Sequence, residues 1–156
     1  MINVKSLHLR SIGNSTIPSG LRIKRLADGD INIIDPDDFA VKWAVEYLRI
    51  CNDDNNGLSM DLGKDISDSL FIMCYSDGFG YHISCAGRSD KDNYTARDMQ
   101  KPREYVYAVV GGQGSDNWPL RFFVTKDIAI MAALHYLHTG ERSPDVSWTE
   151  GLDDGP

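Results

Sequence analysis

Between Thr125 and Gly140 the chain carries a helical stretch with almost no polar face, and that stretch limits what the rest can be. Thr125 offers a hydroxyl N-cap, Asp127 puts negative charge in the first turn, and Gly140 can take the left-handed stop position. Inside these signals lie Ile128, Ala129, Ile130, Met131, Ala132, Ala133, Leu134, Tyr136 and Leu137, which predict a helix over 126–138. A helix apolar nearly all round has to be covered nearly all round. The chain must therefore supply a sheet beneath it. Upstream, Glu104 to Val110 is a β-branched and aromatic run that reads as a buried strand, stopped at Gly111-Gly112-Gln113-Gly114. A polar loop holding Trp118-Pro119 and a second apolar run, Leu120 to Val124, then lead into the helix. Downstream, Pro144 precedes a short strand at Val146-Ser147-Trp148, with Trp148 expected to close one side of the helix as a core residue.

The earlier part of the chain supplies the other elements. Asp35 and Pro36 form a helix start, and Phe39, Ala40, Trp43, Ala44, Tyr47, Leu48 and Cys51 share one helical face. Leu58, Met60 and Leu62 alternate, Leu70 to Tyr75 is continuously apolar, and Tyr81, Ile83 and Cys85 alternate again. Ser76-Asp77-Gly78-Phe79-Gly80 joins the last two runs as a hairpin turn. Val4 to Leu9 is a candidate strand, Leu21 to Leu26 a candidate edge strand, and Asp28-Gly29-Asp30 a turn. Arg88 to Arg103 is polar and reads as a long loop. The fold class that follows is α+β: a mostly antiparallel sheet with two main helices packed on it, in a single domain spanning 1–156.

Charge and motif spacing then exclude several chemistries. A formal net charge of −7 argues against a binder of nucleic-acid backbone and favours a basic protein partner. The acids lie mostly in loops and caps, where water keeps them ordinary, so they read as a solvated acidic surface. No run approaches the length of a membrane span, and Met1 to Lys5 lacks a signal peptide's apolar region, so a cytoplasmic protein is expected. Three cysteines without a CxxC pair form neither a disulfide framework nor a zinc site. Cys74 and Cys85 flank the hairpin and could face each other across two strands, with small apolar core residues as the plainer reading. His135 and His138 stand three apart without a third ligand, so no metal and no cofactor are expected, and His8 and His82 are isolated. Ser115 lacks a nucleophile elbow, and the glycines lack the spacing of a phosphate loop. No catalytic residues are assigned.

The last third of the chain resembles the type-one immunity proteins of bacterial polymorphic toxin systems. That family runs from a strand into an Asn-Gly-Gln turn, a proline, a helix, and a Thr-Gly-x-Arg-Pro ending before a tryptophan. The matching residues are Gly112-Gln113, Pro119, the helix from Lys126, Thr139-Gly140-Glu141-Arg142, Pro144 and Trp148. Gly111 stands where the family has Asn, and Ser143 is inserted before Pro144. The resemblance implies a non-catalytic protein that binds a cognate toxin, often a nucleic-acid deaminase, and covers its active site. It would form a 1:1 heterodimer with a basic toxin domain, without nucleic acid or membrane. The rivals are an adaptor or assembly subunit of the same fold and a small enzyme of unrecognised type, the latter requiring a cleft with a perturbed titratable pair. Two loops that combine aromatic anchors with acids are the expected docking points: Asp77, Phe79 and Tyr81 in one, Asp116, Asn117 and Trp118 in the other.

Overall fold

The computed structural model describes residues 22–26, 29–31, 38–51, 59–65, 69–86 and 93–151, with side chains over 41–50, 71–86 and 93–151. Val4 to Leu9, Asp35 and Pro36 lie outside the described residues. In chain order the elements are β1 (Arg22–Leu26), β2 (Gly29–Ile31), α1 (Asp38–Cys51), β3 (Ser59–Asp65), β4 (Ser69–Ser76) and β5 (Gly80–Ala86). They continue with β6 (Tyr94–Arg97), β7 (Tyr105–Val110), β8 (Gln113–Pro119), α2 (Lys126–Thr139) and β9 (Ser147–Glu150). Seven strands form one antiparallel sheet in the order β2-β1-β3-β4-β5-β6-β9, and β7 and β8 form a separate two-stranded sheet. The architecture is α+β, as the sequence predicts.

Helix α2 begins and ends where its capping residues direct. The Thr125 hydroxyl accepts from the Ile128 amide at 3.4 Å, and Gly140 stops the helix at φ 73°, its amide donating to Tyr136 O at 2.7 Å. Both helices cover one face of the large sheet. Phe71 and Met73 from β4 and Ile83 from β5 meet Val41, Val45 and Leu48 of α1 and Ala129, Ala133 and Leu137 of α2. The Tyr136 ring packs on Phe71 with centroids 5.2 Å apart. Met131 is exposed and Ile128 and Leu134 are half-buried, so the apolar helix is core on most of its circumference but not all of it.

Strand alternation sends the neighbouring side chains to the opposite face. There Ile72, Cys74 and Phe79 meet Val106, Ala108 and Val110 of β7, Trp118 of β8 and Phe123. The molecule is thus layered as helices, large sheet and small hairpin. Cys85 pairs with Phe71 in register, whereas Cys74 pairs with His82, so the two thiols sit on opposite faces of the sheet and do not oppose each other.

Several local expectations change. β1 is paired on both sides and is not an edge; Gly29–Ile31, expected as part of a turn, is the edge strand. β6 lies in the stretch expected as loop: its four residues hold no apolar run, and it is ordered by pairing between β5 and the distant β9. The polar stretch before Pro119 is a strand because β7 gives it a ladder. Leu120–Phe122 forms a single 3-10 turn in place of a strand, and Val124 alone makes a bridge to Tyr81. β7 is only half buried, since its outer side chains face solvent. Trp148 is half-buried too, lying against the main core while its indole N–H donates to Ser143 O at 2.9 Å.

Candidate functional site

Among the described residues, exposed aromatic surface concentrates on the outer face of the β7–β8 hairpin. β7 reads Tyr-Val-Tyr-Ala-Val-Val, and its alternation turns Val106, Ala108 and Val110 toward the sheet. Tyr105 and Tyr107 are left 66% and 60% exposed. The register slips between Val106 and Ala108, so two residues of β8, Asp116 and Asn117, stand opposite Tyr107. Such a bulge re-aims side chains and sharpens the local twist. The Asn117 amide donates to the Ser115 hydroxyl at 3.2 Å and steadies it. Gly114 lies beside it, and a methyl there would push the exposed Tyr107 ring aside.

The charge within this segment has one sign. Glu104 and Asp116 are exposed, and from Glu104 to Leu120 the sequence contains no lysine or arginine. Two phenols, an amide and two carboxylates stand in water on this surface. No group of three or more His, Cys, Asp or Glu side chains able to hold a metal occurs among the described residues.

A cationic clamp fixes the base of the hairpin. The Lys101 ammonium donates to the carbonyls of Phe79 and Phe123, and Arg121 Nε donates to Lys101 O at 2.8 Å. Burial lowers the Lys101 pKa, with Asp98 opposing that shift. The turn between β4 and β5 and the entry to α2 are thereby tied together.

Inside the hairpin lies His82, which the sequence reading left isolated. Its ring sits 5.0 Å from Trp118 in an edge-on arrangement and 6.3 Å from Phe123. His82 Nε2 and Trp118 Nε1 are buried without a hydrogen-bond partner among the described residues. Burial pushes the imidazole pKa down to about 4, so His82 is neutral at pH 7.

The six expected docking residues separate into two groups. Asp77, Asp116 and Asn117 are exposed. Tyr81 is buried in the main core, its hydroxyl donating to Val45 O at 3.1 Å, so this ring is not presented to a partner. Burial also raises the Tyr81 pKa. Phe79 and Trp118 are half-buried and turn inward, 5.6 and 6.4 Å from Phe123. The cause is simple: 76–80 is the tight turn the sequence predicts and 115–118 is a strand, and Phe79 and Trp118 pack against the second core. Tyr105 and Tyr107 are the exposed aromatics that sequence reasoning missed, although their alternation with Val106 and Ala108 was a usable signal.

Comparison with protein-family models, with curated proteins and with solved structures returned no match to this chain.

Proposed function

We propose that this protein is an immunity protein that binds a cognate bacterial toxin, a basic nucleic-acid deaminase domain, in a 1:1 complex and covers its active site. The outer face of the β7–β8 hairpin is the docking surface. The observation that carries this reading is the pairing of two exposed tyrosines, Tyr105 and Tyr107, with Glu104 and the Asp116-Asn117 bulge in a segment without lysine or arginine. Tyrosines give large contact area at small entropic cost, and a few such anchors usually dominate an interface. Acids around them speed encounter with a cationic surface, and a toxin acting on nucleic acid needs such a surface for phosphates. In this reading the protein acts in the cytoplasm of the producing cell and requires no cofactor. Among the described residues no helix is long and apolar enough to cross a membrane.

The test is co-purification with the product of the adjacent gene, followed by binding kinetics of hairpin variants. Tyr107→Ala is expected to weaken binding by about 2 kcal/mol, with an unchanged melting curve. Asp116→Lys is expected to slow association mainly, with the difference shrinking in high salt. Well-folded variants that bind at the parental rates would remove the hairpin from the interface. Absence of any toxin beside the gene would remove the function.

A further inference from the structure

On the helical side of the large sheet, away from the hairpin, a pocket of about 560 Å³ opens where α2 ends. Its walls include Cys85, Tyr136, Pro144, Val146 and Trp148, with Arg142 among them. The helix stop places that arginine. Gly140 turns the chain, and the Thr139 hydroxyl donates to His135 O at 2.8 Å and accepts from the Glu141 amide at 3.0 Å. The guanidinium then lies 3.4 Å above the Tyr94 ring of β6 and 5.8 Å from the Trp148 ring of β9.

Stacking occupies the flat face of a guanidinium and leaves its N–H groups directed outward in the plane. Those donors have no carboxylate or carbonyl acceptor among the described residues. The pocket's own acids do not supply one. Cys85 stays a thiol, its pKa pushed up to about 12 by burial, and Glu141 is exposed. An arginine locked in one plane beside apolar and aromatic walls is pre-organised for bidentate recognition of an oxyanion. Pro144 and Trp148 add surface for an apolar body next to it, with the buried Tyr136 and Val146 behind them.

We infer that this pocket binds a small ligand carrying a carboxylate on a flat apolar body, with Arg142 gripping the carboxylate and Trp148 lying along the body. This site stands independently of the hairpin surface, since it rests on the opposite face of the sheet.

The experiment is a titration of the nitrogen-15-labelled full chain, following the Arg142 Nε–H and Trp148 Nε1–H resonances. The probes are benzoate, its neutral counterpart benzamide, and inorganic phosphate. Benzoate is expected to shift both resonances saturably, benzamide to leave them in place, and phosphate to bind more weakly than benzoate. Arg142→Lys keeps the charge but loses the planar fork, and is expected to weaken benzoate by about tenfold or more. Arg142→Gln is the second variant, for use if the lysine variant melts early, and is expected to abolish saturation. Equal shifts with benzamide, phosphate binding as tight as benzoate, or parental benzoate affinity in a folded Arg142 variant would each overturn the assignment. So would the lack of any saturable benzoate effect.

Discussion

The two faces of the large sheet are built to different standards. On the helical face, Phe71, Met73 and Ile83 meet α1 and α2 in an extended core, and of the two phenols buried there Tyr81 donates to the Val45 carbonyl. On the hairpin face the core is smaller, centred on Cys74, Ala108, Val110 and Phe123, and it encloses two ring nitrogens without partners among the described residues. A buried polar atom left unpaired costs about 1–3 kcal/mol. The helical face therefore carries the stability, while the hairpin face gives some up to hold a small sheet whose outer side faces solvent.

The largest way to break this contrast is Phe71→Ala. The ring is fully buried between β4 and α2, so the variant should lose about 3–5 kcal/mol in denaturant unfolding. A loss below about 1 kcal/mol would show that the helical face is not the main store of stability.

Acid should attack the other face. His82 is neutral when folded with a pKa of about 4, against 6.5 for the free side chain. As pH falls from about 6.5 toward 4, the unfolded chain takes up a proton that the folded chain refuses, so stability drops through that window. Above it, this group contributes no pH dependence. The loss amounts to about 2–3 kcal/mol by pH 4.5. His82→Phe should remove that part of the slope and unfold at pH 7 no more easily than the parent. Equal acid losses in parent and variant would separate His82 from acid sensitivity.

Gly80 tests the place where the two cores meet. It takes φ 122° at the start of β5, and a methyl there would strike the Val124 carbonyl oxygen. Gly80→Ala should cost about 2–3 kcal/mol by forcing apart the paired bonds between Tyr81 and Val124, which are 2.9 and 2.8 Å long. Hydrogen exchange of the Tyr81 and Val124 amides would locate the damage; protection lost elsewhere first would argue against this junction.

The smallest effect belongs to the surface. Glu46 of α1 accepts from Lys126 of α2 and from Arg49, and these hydrogen bonds, Lys126 first, lower its pKa. All three side chains are largely in water, so Glu46→Gln should change stability by less than about 1 kcal/mol. A larger loss would mean that the helices depend on their charged rim as well as on the core.

What the sequence determined by itself were the features encoded within a few residues of one another. Thr125 and Gly140 bound α2, Asp77-Gly78-Phe79 turns β4 into β5, Gly111-Gly112 turns β7 into β8, and the all-apolar face of α2 demanded cover. Capping, turn geometry and periodicity are local, so a linear reading reaches them. The tertiary structure alone decided the rest. β6 and β8 carry polar sequences and become strands only because β9 and β7 offer ladders. Tyr81 and Tyr107 look alike in the sequence, yet one is buried under α1 and the other stands in solvent, because the large sheet is covered on both faces and the small sheet on one. Arg142 comes to rest on Tyr94, forty-eight positions away in the chain, only once β9 has paired with β6. Which face a side chain takes depends on pairing partners distant in sequence, and no local pattern contains that information.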